Sequence, residues 1–169
     1  MKLRFTEIDS SAGRLVAAST DKGLRLLEFL EEGETPEDRI RVRFPDAELQ
    51  HAPRSFGQLR AELKSYFSGK SVRFGVPLDL EGTPFQQKVW KELARMPLGE
   101  TATYTELAER VGRPDAVRAV AGAVAANHIA ILMPCHRMVR KGGALGGFRW
   151  GPSRKQVLLD LESRAAGRR

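Results

Sequence analysis

The chain has 169 residues, 41% of them hydrophobic and 29% charged, with a formal net charge of +7, the profile of an ordinary globular protein of one or two small domains. No apolar run approaches a membrane span, and residues 1–11 mix charges without an apolar core, so neither an anchor nor a secretory signal is expected. One cysteine excludes an internal disulfide, and with His51, His128 and His136 it makes a poor zinc set, so no metal is expected. An unprotected thiol suits a reducing cytoplasm.

In chain order, residues 2–8 and 14–19 read as two strands joined by the turn cluster 9–13, a hairpin, and residues 23–30 as a third strand. The acidic stretch 31–38 is a surface loop or a helix start, and residues 40–44 are ambiguous. Phe56, Leu59, Leu63 and Phe67 recur at helical spacing until Gly69 stops the run. Nothing here gathers catalytic residue types, so residues 1–78 are expected to form an α/β scaffold, a small antiparallel sheet with helices. Residues 76–82 read as the connection to a second domain, 79–169.

That second domain opens on Thr83, a cap with proline in the first turn and Gln86 completing a capping box. A second capping box, Thr103 to Glu106, opens a short helix to Val111. Gly112-Arg113 makes a turn, and Pro114 is expected to open another helix over residues 115–126. Two short helices around a glycine-containing turn form a helix-turn-helix. The second is built almost wholly of Ala, Val and Gly, with Arg118 its one charge after the first turn. It reads either as a tightly packed core helix or as one smooth enough to enter a groove. Ser153 with Gln156 is a third expected capping box, opening a last helix that turns Val157, Leu158 and Leu161 to the core.

Between these helices lies Pro134-Cys135-His136-Arg137, apolar on both sides. Proline restricts the residue before it and lacks an amide donor, so the step reads as a rigid corner presenting one sulfur. Two readings stand: a nucleophile activated by a histidine that a further group orients, or a buried structural cysteine. Charge bears on the choice. Residues 1–80 carry 13 basic and 13 acidic side chains, residues 81–169 carry 15 and 8, so the whole excess lies with Cys135. A basic half suits a polyanionic partner such as nucleic acid, although Arg164, Arg168 and Arg169 read equally as a solvated tail.

Taken together, these residues resemble the O6-alkylguanine-DNA alkyltransferase family over nearly the whole chain. Gly69-Lys70, Phe74 and Pro77-Leu78 match the end of its N-terminal domain. Gly82-Thr83-Pro84-Phe85-Gln86, Gly99-Glu100-Thr101, Tyr104, Arg118-Ala119-Val120, Asn127, Pro134-Cys135-His136-Arg137, Gly147-Phe148-Arg149-Trp150-Gly151 and Leu158 to Glu162 follow in order and spacing. The resemblance implies an α/β domain followed by a mostly helical, winged-helix-like domain with a helix-turn-helix. It implies a monomeric suicide methyltransferase without cofactor, which binds duplex DNA from the minor groove and flips out the O6-alkylated guanine. O4-alkylthymine is a second candidate substrate.

By that resemblance Cys135 takes the alkyl group, His136 accepts the thiol proton through a water molecule, and Glu162 holds the imidazole. Asn127 orders the segment leading into the cysteine corner, and Tyr104 hydrogen-bonds the departing guanine and helps flip the nucleotide. Arg118 fills the vacated stack, with Ala119, Ala123 and Arg137 on the DNA-facing side. Pro134, Val139, Gly146, Phe148, Arg149 and Trp150 form the substrate pocket. The chain departs from the pattern at His128, where many members have proline and where a surface or DNA-backbone role is expected. Phe148 lacks the hydroxyl of the inducible-type loop, the N-terminal zinc ligands of some members are missing, and no fused regulatory module is expected. The alternatives are a lesion-binding protein or DNA-binding regulator without transfer. Neither needs Cys135, His136 and Glu162 together.

Overall fold

Three strands, β1 (Lys2–Ile8), β2 (Leu15–Thr20) and β3 (Gly23–Phe29), form an antiparallel meander in the computed structural model, which describes residues 1–167. Two compact units make up the chain, Met1–Leu80 and the residues from Glu81 onward. In the first, β4 (Glu48–His51) joins the sheet beside β1, giving the order β3-β2-β1-β4. The sheet is therefore mixed, because β4 runs parallel to β1. β3 is also parallel to β1, and parallel strands need a crossover connection. Helix α1 (Pro36–Arg43) provides it, capped by Thr35, whose hydroxyl accepts the Asp38 amide. The ambiguous stretch 40–44 is thus the end of α1. Its Ile40 packs against Leu3, Phe5, Val16, Ala18, Leu26 and Leu30 in the core of this unit. A 3₁₀ turn (Pro53–Phe56) leads into α2 (Gly57–Phe67), which buries Leu59, Leu63 and Tyr66 while Phe67 stays half-exposed. Gly69, at φ +83°, turns the chain where a side chain would be strained.

In the second unit α3 (Pro84–Ala94) forms with the capping box complete, Thr83 accepting from the Gln86 amide and Gln86 from the Thr83 amide. Val89, Trp90 and Leu93 are buried, and the Trp90 indole donates to Ala123 O at 2.8 Å. Gly82 lies against that ring: a Cβ there would sit 2.6 Å from it. β5 (Ala102–Thr103) leads directly into α4 (Tyr104–Arg110), whose first turn Thr103 caps. The next helix, α5 (Val117–Ala125), starts two residues later than expected. Residues 113–116 instead close a turn through the Ala116 amide and Arg113 O, leaving Asp115 and Ala116 outside the helix. Helices α4 and α5 pack together as a helix-turn-helix.

After the cysteine corner, β6 (Met138–Val139) pairs in parallel with β5, Ala102 opposite Met138 and Thr103 opposite Val139. This short ladder sets the start of α4 beside the end of the corner. The last helix, α6 (Pro152–Ala165), is capped by Gly151 at φ +95° rather than by Ser153, which lies inside the first turn; the third capping box does not form. Its buried positions are Lys155, Leu158 and Glu162, with Val157 exposed and Leu161 half-exposed, so the inward face is rotated from the expected one. Arg164 is exposed, while Arg168 and Arg169 lie outside the described residues. Among the described residues no helix is long and apolar enough to cross a membrane.

Candidate active site

Pro134 sits at φ −80°, ψ +60°, and the Cys135 amide donates across it to Met133 O at 2.7 Å. This is an inverse γ-turn, the tight bend that a proline ring accommodates. A single 3₁₀ turn, Cys135–Arg137, follows and runs straight into β6. The corner therefore has little freedom, and it places consecutive side chains on different surroundings. Cys135 lines a cavity of about 390 Å³ together with Tyr104, Val124, Ala125, Asn127, Gly147, Phe148 and Arg149. His136 and Arg137 point into the protein.

The approach to the corner is held by Asn127. Its amide Nδ2 reaches Ile129 O at 3.0 Å, Met133 O at 3.1 Å and Cys135 Sγ at 3.3 Å, and its Oδ1 accepts the Ile129 amide at 2.9 Å. Between these anchors Ile131 takes φ +72°, a left-handed conformation that a β-branched residue adopts only under constraint. Asn127 thus grips both sides of the strained residue and the sulfur itself.

Behind the cavity lies a buried ionic group. Glu162 Oε2 is 2.6 Å from His136 Nε2, and Arg137 meets the same carboxylate twice, Nε to Oε1 at 2.7 Å and Nη2 to Oε2 at 3.1 Å. The third arm of the guanidinium donates to Met96 O at 2.6 Å. Burial alone raises a carboxyl pKa, but the bonds and charges of His136 and Arg137 outweigh it and hold Glu162 at about 2. Burial pushes His136 below its ordinary value; Glu162 opposes this, while Arg137 and Lys155 add to it. The state that follows is a carboxylate beside a neutral imidazole. The carboxylate accepts from Nε2–H, so Nδ1 carries the lone pair; it is buried and has no hydrogen-bond partner among the described residues.

Burial also pushes the Cys135 thiol up to about 11, against the opposing effects of Asn127, Lys155 and Arg149. At rest the sulfur is protonated and needs an acceptor for its proton. Tyr104 is half-buried, and burial together with Cys135 raises its hydroxyl pKa, so it stays a donor at neutral pH.

The expected site residues divide clearly. Cys135, Asn127, Tyr104, Phe148 and Arg149 meet at the cavity, and His136 and Glu162 meet behind Cys135. Trp150 backs Phe148, ring centroids 5.1 Å apart. Pro134, Val139 and Gly146 flank the lining, to which Gly147 rather than Gly146 contributes. Arg118 and Ala119 are exposed on α5, and with Gly122 and Ala125 they make a smooth outer face. Arg149 donates to Ala125 O at the end of that helix. His128 is half-buried.

Two expectations are corrected. Arg137 does not face solvent: it is 8% exposed, because the buried Glu162 carboxylate requires a cation. Ala123 is also buried, packed toward α3, where its carbonyl receives the Trp90 indole. One residue went unread in the sequence. Lys155 is fully buried, its ammonium donating to Met138 O and Gly147 O, so it ties β6 to the glycine loop beside the cavity. The signal for it is the spacing Lys155, Leu158, Glu162, one face of a helix.

Fold and site together define a protein that presents one thiol, backed by a buried histidine–carboxylate pair, beside a helix-turn-helix. Residues 84–164 match the family model described as 6-O-methylguanine DNA methyltransferase, DNA binding domain, and residues 3–80 its ribonuclease-like domain. The methylated-DNA–protein-cysteine methyltransferase of Mycobacterium tuberculosis is 41% identical over 165 residues, 97% of this chain and 94% of that protein. The bifunctional transcriptional activator/DNA repair enzyme Ada of Escherichia coli is 39% identical over 163 residues. The chain spans only 46% of Ada's length. A crystal structure of Mycobacterium tuberculosis OGT in complex with DNA matches with a TM-score of 0.81 and 38% identity, covering 98% of this chain and 94% of that one. The chain belongs to the 6-O-methylguanine DNA methyltransferase family.

Proposed function

We propose that this protein repairs DNA by direct reversal, moving an alkyl group from O6 of guanine to Cys135, which is consumed. The observation that carries the reading is the pairing of Cys135 at the cavity with His136, whose Nε2 is held by Glu162 and whose buried Nδ1 makes no hydrogen bond among the described residues. The thiol proton passes through water to Nδ1, and Sγ attacks the alkyl carbon. The S–C bond forms as the C–O6 bond breaks, its electron pair leaving on the guanine. Tyr104, a donor at the cavity wall, hydrogen-bonds the departing base, which takes its proton from solvent. The thioether has no route back to a thiol, so each molecule acts once.

The target base must leave the duplex to reach a cavity of this kind, at a cost of a few kcal/mol. The outer face of α5 supports a minor-groove approach: Ala119, Gly122 and Ala125 allow close contact, and Arg118 is the one long side chain there to fill the vacated stack. The excess charge of the second unit supplies affinity without regard to sequence. This suits a lesion that occurs anywhere. Ala123 and Arg137 are not part of this surface. A nucleophile that must stay reduced supports a cytoplasmic location.

The test is intact mass after incubation with duplex DNA containing O6-methylguanine, with Cys135→Ala as control. One methyl group mapped to Cys135, saturating at about one per protein, is the expected result. Unchanged mass despite tight lesion binding would sink the transfer reading.

A further inference from the structure

Arg137 is the residue whose surroundings differ most from its expected place. Its planar fork meets both oxygens of Glu162, and its remaining arm reaches Met96 O, just beyond the end of α3. His136, Glu162 and Arg137 are 0%, 1% and 8% exposed, so the three share an interior in which net charge is costly.

A buried histidine–carboxylate pair has two resting arrangements. The ring can be neutral, or it can hold a second proton and form an ion pair with the carboxylate. The second is favoured when the imidazole is the carboxylate's sole partner, and a ring in that state cannot accept a proton. Given the transfer to Cys135 proposed above, on which this rests, we infer that Arg137 is a positioning residue for the reaction: by neutralising and orienting Glu162 it keeps His136 uncharged, with Nδ1 open to the thiol proton. With a neutral ring the trio carries no net charge; with a charged ring it carries +1. Lys155, on α6, is a further cation acting against ring protonation, and Cys135 precedes His136 in the 3₁₀ turn Cys135–Arg137. Arginine suits the place because its fork fixes the carboxylate plane, whereas lysine offers a point charge.

The experiment follows the single-turnover rate of alkyl transfer from about pH 5 to about pH 10, with Arg137→Met and Arg137→Lys beside the wild type. Arg137→Met is expected to move the acid limb up by at least one pH unit, so that the rate drops about tenfold on the acid slope and recovers in alkali. Arg137→Lys is expected to keep the limb near its wild-type position. A rate lowered by one factor at every pH in Arg137→Met overturns the inference, as does a limb displaced equally in both variants. Nitrogen NMR of the His136 ring in the wild-type protein decides the matter even where Arg137→Met does not fold. Protonated Nε2 with bare Nδ1 at neutral pH supports the inference, and an imidazolium there overturns it. A wild-type protein that takes up no methyl group fails the transfer reading, and the ring signal still decides the role of Arg137.

Discussion

Glu162 is a carboxylate with almost no exposed surface that faces His136 on one side and the fork of Arg137 on the other. Glu162→Gln replaces two charge-assisted acceptors with one carbonyl, so both the ring orientation and the charge balance are lost. Single-turnover transfer should slow about 100-fold while DNA affinity, read by fluorescence anisotropy, stays near wild type. Stability should fall by roughly 3 kcal/mol in urea, since Arg137 is left buried without its counter-charge. Equal loss of transfer and binding would count against the relay. Asn127→Ala removes the grip on residues 129 and 133 and on the sulfur. It should cost about 2 kcal/mol of stability and also slow transfer. Cys135 and His136 were legible because proline, the lone thiol and the adjacent imidazole are chemically distinctive in a row. Arg137 and Lys155 were not, since a charged side chain reads as exposed until its partner, remote in sequence, is known.

Elements with local signals were read well. Helix α3 carries its own start in Thr83, Pro84 and Gln86. Thr83→Ala should lower stability by about 1 kcal/mol in urea titration without altering the transfer rate, because the cap is exposed and does not line the Cys135 cavity. Helix α5 has no side-chain cap, and residues 113–116 close a turn before it, so its start could not be placed from Pro114. Its outer face makes a sharper prediction. A Cβ at Gly122 meets nothing within 4 Å, so Gly122→Leu should fold with unchanged or higher thermal stability. It should nevertheless bind duplex DNA at least about tenfold more weakly, since bulk on that face keeps the helix from the groove. Unchanged affinity would mean that DNA lies elsewhere. The sequence leaves the inward face of α6 open, because Val157, Leu158 and Leu161 allow two apolar stripes, and packing against the cysteine turn selects Leu158.

At the scale of the whole molecule, the buried ionic group makes acid the weak side of stability. His136 in the folded chain lies below its ordinary 6.5, and Glu162 at about 2 lies below 4.5. In both cases the unfolded chain binds more protons in acid, so stability is full above the ordinary values and falls as pH drops. The urea midpoint should decline first below about 6.5, then further between about 4.5 and about 2. Glu162→Gln should flatten the lower part; a midpoint constant over that range would contradict the assignment. The sequence alone determined the two-part plan, most strand and helix positions, the location of the basic excess and the lone thiol with an imidazole beside it. These rest on periodicity, caps and composition, which act over a few residues. Only the tertiary structure decided that β4 runs parallel to β1, that α6 turns Lys155 and Glu162 inward, and that Arg137 turns inward to meet Glu162. Each of those depends on burial, which turns a charged side chain from a surface group into one that must find its opposite charge or a carbonyl, and burial is set by segments far apart in the chain.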